Sequence, residues 1–421
     1  MGRASTVRAD PTDPTEPTEP TEATPRRFLS SYRDLMDVPG SWRLATVGIV
    51  SKLPPSMVSL SLLLLVGRSH SYGTAGLAVS ALAVGQGATG PLRGRLIDRH
   101  APRPVLLSLL AMYLTATPLL VLVVCGGGSI VAVLALAAAT GASTPPVAVM
   151  MRSAWHGPEG SPLYGDLTTT AMALDSSMTG AALITGPVLA SWLSLSVSPV
   201  APFAVAALLT VASVGLLINV PGPPSRPARS GHRLGPLASA PLRRLLAAEA
   251  LFVTAVTAVD VVLPIYARQH HAAGFTGLYL GILSVGSVLG SLVLGAVPNL
   301  LSRGPKVSVL LCVFAAGTGG LTLATGLSPH AVLLVCPLAG LAIGCTFAAL
   351  RTTGGDLAPE GPVTETMSWL SSFDMVGGAV GAAVFAHIAA DGGSRAALLL
   401  LPAVVLLAAV LGWNTRTSKR G

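Results

Sequence analysis

Gly94-Arg95-Leu96-Ile97-Asp98-Arg99-His100-Ala101-Pro102-Arg103 is a polar stretch set between two long apolar runs. Gly94 has no side chain, so a neighbouring helix can approach it closely. Asp98 suits the positive N-terminus of a facing helix, as a cap or as a counter-charge. Arg99 and Arg103 can pair with acids and hold the loop at an anionic membrane face. A weaker copy, Gly295-Ala296-Val297-Pro298-Asn299-Leu300-Leu301-Ser302-Arg303, follows about 200 residues later. Two such loops at matching places point to a chain built from two related halves.

The rest of the sequence says where those halves sit. Of 421 residues, 51% are hydrophobic and 10% charged, where a soluble domain carries about 25% charged residues. Mean hydropathy is +0.69. A soluble globular, disordered or fibrous chain is excluded, and a polytopic helical membrane protein remains. Twelve apolar stretches, near 42–66, 74–94, 104–125, 129–151, 168–192, 200–220, 245–267, 275–298, 306–326, 330–350, 365–390 and 395–414, can each cross a bilayer. A Pro- and Arg-rich stretch divides them six and six. The expected organisation is therefore a cytoplasmic tail at 1–41, a six-helix half at 42–220, a cytoplasmic linker at 221–244, a second six-helix half at 245–414 and a short tail at 415–421. The first tail carries a three-residue Pro-Thr-acid repeat with nothing apolar to bury, and it reads as disordered.

Charge orients the array. Twelve crossings put both termini on one face, and 22 Lys and Arg fall to that face against three, Arg68, Arg268 and Arg395, on the other. The positive-inside rule then places both termini in the cytoplasm of a multi-pass cell-membrane protein. This distribution accounts for the net charge of +8 without a nucleic-acid partner. The four cysteines show no metal-ligand or disulfide spacing. The three lysines follow Ser51, Pro305 and Ser418, so no nucleotide-binding G-x-x-x-x-G-K-[ST] exists. No catalytic residue, metal or cofactor is expected.

The stretch Gly94-x-Leu96-x-Asp98-Arg99-x-x-x-Arg103 resembles the signature loop of the major facilitator superfamily, with Ala101 and Pro102 replacing the usual Gly and basic residue. Over about residues 42–414 the chain resembles actinobacterial drug or small-molecule efflux permeases of that superfamily. The likeness rests on Leu53-Pro54-x-x-Met57, Pro145-Pro146 with Arg152 and Trp155, Ala173-Leu174-Asp175-Ser176 with Gly186-Pro187, Asp260 with Pro264, and Val363-Thr364-Glu365 with Trp369. The resemblance implies the major facilitator fold, all-α with twelve transmembrane helices in two six-helix halves. It implies a gating loop at Gly94, Asp98, Arg99 and Arg103 that clamps the start of the eleventh span. It implies an antiporter-like fifth span at Gly180, Gly186 and Pro187, although Ala190-Ser191 replace the final glycines. The fourth-span arginine associated with proton coupling is not evident, since Arg152 reads as lying at the cytoplasmic end of that span.

Ionisable side chains within spans are costly and are functional candidates by default. Lys52 reads as ~15 Å deep in span one, Asp374 as similarly deep in span eleven, Asp175 as ~10 Å deep in span five and Asp260 as ~22 Å into span seven. Lys52 and Asp175 are expected to pair, because spans one and five pack together in this fold. Asp260 and Asp374 are candidates for proton coupling or substrate contact. Glu249 and Glu365 read as interfacial or loop-pairing. Pro54-Pro55, Pro145-Pro146 and Pro264 are expected to break backbone hydrogen bonds mid-span, which is tolerated beside a cavity or gate. The Gly-x-x-x-Gly pairs at 277/281, 286/290, 340/344 and 377/381 read as packing within one chain. The functional expectation is a monomeric secondary transporter of a small organic molecule, exporting it against inward proton flow. An uptake permease for a sugar or other metabolite is the alternative, and a membrane-embedded sensor or enzyme is a reading of another class.

Overall fold

Each apolar run becomes one helix, except the fourth, which becomes two. A computed structural model describes residues 25–70, 72–156, 163, 165–219, 235–297, 306–358 and 363–413. Among these, α1 (Pro25–Asp37) precedes a first group of α2 (Ser41–Ser69), α3 (Tyr72–Arg99), α4 (Pro102–Cys125), α5 (Ile130–Ser143), α6 (Val147–Trp155), α7 (Asp166–Ser196) and α8 (Ala201–Ile218). A second group follows: α9 (Ala240–Gln269), α10 (Thr276–Ala296), α11 (Lys306–Thr325), α12 (Pro329–Asp356), α13 (Val363–Asp391) and α14 (Gly393–Trp413). Eleven crossings are long and apolar enough to span a bilayer, counting α5 and α6 as one. The twelfth is α3, whose 28 residues include Gln86 and three arginines; it packs along α5 on one side and α13 on the other.

The break in the fourth span has a local cause. Pro145 and Pro146 lack N–H groups, which frees the carbonyls of Gly141 and Ala142 four residues earlier. Buried Arg93 on α3 donates to the Gly141 carbonyl at 3.5 Å and also to that of Thr144, and Thr89 Oγ1 donates to the Ala142 carbonyl at 3.4 Å. The helix ends there and restarts as α6. Pro54, Pro55 and Pro264, which also remove backbone hydrogen bonds, lie inside continuous α2 and α9.

Small residues let the helices close up. A side chain at Gly290 or Gly344 would strike the carbonyls of Leu341 or Ser287, so α10 and α12 touch backbone to backbone. Gly377 and Gly381 bring α13 equally close to α9 at Ala250 and Thr254. Gly277 and Gly281, read as packing residues, have nothing within 4 Å of a would-be side chain.

The reading of residues 1–41 as a disordered tail fails over α1. Its Leu35 is fully buried, Ser31 Oγ donates to the Ala296 carbonyl at 3.0 Å, and Tyr32 OH donates to that of Leu292 at 2.8 Å. The helix docks on α10, α7 and α2, and so touches both groups of helices. The linker also ends earlier than expected, because α9 begins at Ala240 after a 3-10 turn at Gly235–Ala238. Residues 1–24, 220–234 and 414–421 lie outside the described residues, as do 298–305, most of the second copy of the signature loop.

Candidate functional site

The seam between the two groups runs along α3 against α13 and α7 against α10. Its hydrogen bonds lie near the face that carries both termini. Asp98 Oδ2 accepts from the backbone N–H of Glu365 at 2.7 Å, in the first turn of α13, where an anion meets unpaired N–H groups and the positive helix end. Arg95 donates to Glu365 Oε1 through Nη2 at 2.7 Å and Nε at 3.1 Å. A side chain at Gly94 would collide with Ser368, Glu365 and Thr364. On the other flank Thr170 Oγ1 donates to the Gly295 carbonyl at 2.7 Å, and Ser177 Oγ reaches Ser291 Oγ at 3.0 Å. His156 on the chain leaving α6 stands 3.6 Å from Asp356 at the end of α12.

The same helix stripes separate towards the opposite face. On α3 the line Gly94–Gly90–Gly87, in contact with α13, continues to Val84, which is 66% exposed. On α13 it continues to Val376 and Val380, on α10 to Val285 and on α7 to Ile184 and Val188, all exposed. The halves therefore meet on the terminal face and splay on the far one.

Just above the terminal seam sit two charged triads. In the first half, Asp175 on α7 lies between Lys52 Nζ, 2.7 Å from Oδ1, and Arg152 Nε, 2.8 Å from Oδ2. All three are buried, and Lys52 Nζ also donates to Thr179 Oγ1 at 2.8 Å. In the second half, Arg351 Nη2 on α12 pairs with Asp374 Oδ2 on α13 and lies 3.2 Å from Glu249 Oε1 on α9. Glu249 is 0% exposed. Arg152 Nη1 donates to Ser371 Oγ at 3.1 Å and so links the first triad to α13 of the second half.

The sequence-predicted residues divide accordingly. Lys52, Asp175 and Asp374 lie in the triads. Asp260 stands apart and exposed, on the same face of α9 as Glu249, since eleven residues make three turns plus about 20°. Of the signature residues, Gly94 and Asp98 touch α13. Arg103 instead donates to the Ile218 carbonyl at 3.3 Å, and Arg99 is exposed. Gly186 lets Ser56 of α2 approach α7, Gly180 faces Val288 of α10, and Pro187 stays within α7.

Three members of the triads correct the sequence reading. Arg152, placed at a span end, is buried because the helix break turns α6 inward. Arg351, counted among the loop cations, lies inside α12, which runs on to Asp356. Glu249 is in the core rather than at the interface. A signal for two of them was present: Arg152 and Asp175 are 23 residues apart, and so are Arg351 and Asp374, with the second pair 199 residues after the first.

Solved structures share this architecture. The human organic anion transporter MFSD10 (TETRAN) is 20% identical, with a TM-score of 0.71 over 89% of this chain and 100% of its own. The E. coli fucose:proton symporter FucP is 16% identical, with a TM-score of 0.73 over 91% and 100%. A bacterial homologue of the iron transporter ferroportin, in its outward-facing state, is 16% identical, with a TM-score of 0.70 over 89% and 100%. No curated protein sequence matches the chain. The family model described as Major Facilitator Superfamily matches residues 44–369. With two six-helix halves joined along a charged seam and that match over most of its length, the chain belongs to the Major Facilitator Superfamily.

Proposed function

We propose that this protein is a secondary active transporter of the cell membrane, with both termini cytoplasmic, which exports a small organic molecule in exchange for inward-moving protons. The observation that carries the reading is the seam: the halves are joined on the terminal face and apart on the other, with ionisable groups buried where they meet. That is the geometry of alternating access, in which one half rocks against the other about a site near the midplane. Export is favoured over uptake by the fifth span, where Gly180 and Gly186 hold α7 close to α10 and α2. A monomer suffices, because both halves of the site come from one chain.

The test uses protein in liposomes loaded with a pH-sensitive dye, at equal pH inside and out. A panel of lipophilic organic cations, organic anions and sugars is added outside. Exchange predicts that an accepted compound entering downhill drives protons out and raises lumenal pH, an effect missing from empty liposomes. Acidification of the lumen by a sugar, with no compound producing the opposite sign, overturns export in favour of uptake.

A further inference from the structure

The two triads are mates under the relation that links the halves. Arg152 and Asp175 correspond to Arg351 and Asp374 at an offset of 199 residues, and Lys52 corresponds to Glu249 at 197. The arginine and the aspartate are the same in both copies, while the third member changes sign. With every group ionised, the first triad carries a net charge of +1 and the second of −1. They are linked across the seam, since Arg152 of the first triad donates to Ser371 Oγ, three residues before Asp374, at 3.1 Å.

The second triad has two acids for one cation, and Arg351 Nη1 is itself without a hydrogen-bond partner among the described residues. The carboxyls of Glu249 and Asp374 both lie on Nη2 of Arg351, that of Glu249 at 3.2 Å. The Arg351 contact with Glu249 lacks hydrogen-bond geometry, so neither oxygen of Glu249 makes a hydrogen bond among the described residues, and neither does Asp374 Oδ1. Two carboxyls sharing one cation in a buried site repel each other when both are ionised, which favours a proton on one of them. A metal ion fits poorly, because a guanidinium already occupies the space between them.

We propose that Glu249, Arg351 and Asp374 form a proton-binding site, with one proton held by the pair of carboxyls, and that loading it weakens the closure of the terminal face. The deprotonated triad, at −1, attracts the +1 triad of the other half across the seam. A bound proton makes it neutral and removes that attraction. Access comes from the open side: the Asp374 side chain is 22% exposed, and exposed Asp260 lies three turns along α9 from Glu249. The other charged groups facing the site are Lys52 from α2, Arg152 from α6 and Asp175 from α7. Arg95 and Asp98 from α3, Glu365 on α13, and His156 with Asp356 lie nearer the terminal face. The inference rests on the transporter reading and supplies its coupling site.

The experiment measures conformation without any substrate. Spin labels at Ser129 and Gly392, on the far ends of the two halves, are introduced into protein in lipid nanodiscs. Their distance is followed by pulsed electron paramagnetic resonance from pH 8 to pH 5. The wild type should shift from long to short distances as pH falls, equally in sodium and in choline salts. Glu249→Gln and Asp374→Asn should both lose that response and favour the short distance throughout. His156→Gln should keep it. Lys52→Glu makes both triads negative, so protons now relieve repulsion and the response should reverse direction. Lys52→Glu with Glu249→Lys exchanges the two triads and should restore the original direction. A wild-type response retained in Glu249→Gln, lost in His156→Gln, or driven by sodium at fixed pH overturns the proposal, as does a Lys52→Glu response of unchanged sign. If the nanodisc response behaves as described but no compound moves protons in liposomes, the site stands and the exchange reading fails.

Discussion

Asp175 carries the balance of its triad alone, since two cations depend on it. Removing Lys52 leaves the Arg152–Asp175 pair at 2.8 Å, whereas removing Asp175 leaves two buried cations without a counter-charge. Breaking a buried pair from one side costs about 3–5 kcal/mol. Asp175→Ala should therefore lower the unfolding temperature in detergent well below that of Lys52→Met, and Lys52→Met/Asp175→Ala should recover only part of the loss because Arg152 stays unpaired. Equal losses in the two single variants would show that Arg152 does not share the carboxylate. The Lys52–Asp175 contact was legible in the sequence, because the depth of each residue and the packing of spans one and five placed them together. The other partners were hidden by helix ends. Glu249 looked interfacial when span seven was taken to start at 245, but α9 starts at Ala240 and puts it about 14 Å along the helix. Arg351 looked like a loop residue one position beyond a span ending at 350, and the last turns of α12 carry it inside.

Helix contacts decide how much a small change costs at the level of elements. At Gly344 a methyl group would meet the Ser287 backbone carbonyl, which cannot swing aside as a side chain can. Gly344→Ala should force α10 and α12 apart and lower thermal stability strongly, while Gly277→Ala, with open space around it, should match the wild type. Size-exclusion chromatography of detergent extracts after a heating series compares them directly. The termini of the chain offer a second contrast. Removing residues 1–24 should leave folding and transport intact, because the Pro-Thr-acid repeat has nothing to bury. Removing residues 1–38 strips Tyr32 and Leu35 from the terminal side of α10 and α7, and should lower stability and weaken closure of that face. The apolar pattern alone found nearly every helix, since spans of about 20 apolar residues leave few alternatives in a bilayer. It missed α1, whose polar face and acidic neighbours resemble a tail. It also could not tell which prolines would break a helix, because that depends on whether a side chain such as Arg93 reaches the freed carbonyls.

In the proposed transport cycle the whole molecule is a balance between two closures, and each charged contact on the seam biases it. Asp98 holds the first turn of α13 and Arg95 holds Glu365, so both favour the terminal closure. Asp98→Ala removes a helix cap worth roughly 1 kcal/mol, and should move the population towards the terminal-open form. Faster thiol labelling of a cysteine placed at Ser153, half-buried and bonded to Thr364 here, would record that move in a variant whose native cysteines are replaced. The proposed proton coupling draws on the same balance but places different demands on the two acids. Asp374 belongs to the triad, so Asp374→Asn should abolish transport driven by a pH gradient while downhill exchange of substrate persists. Asp260 lies outside the triad, exposed on the α9 face that leads to Glu249. Asp260→Asn should slow gradient-driven transport severalfold without uncoupling it, because the carboxamide cannot relay protons but leaves the pair of carboxyls in place. Stoichiometry measured in liposomes, protons moved per substrate, separates the two: it falls to zero in Asp374→Asn and keeps the wild-type value in Asp260→Asn. The reverse pattern would move the coupling site to the outer half of α9 and leave the triads as a structural lock.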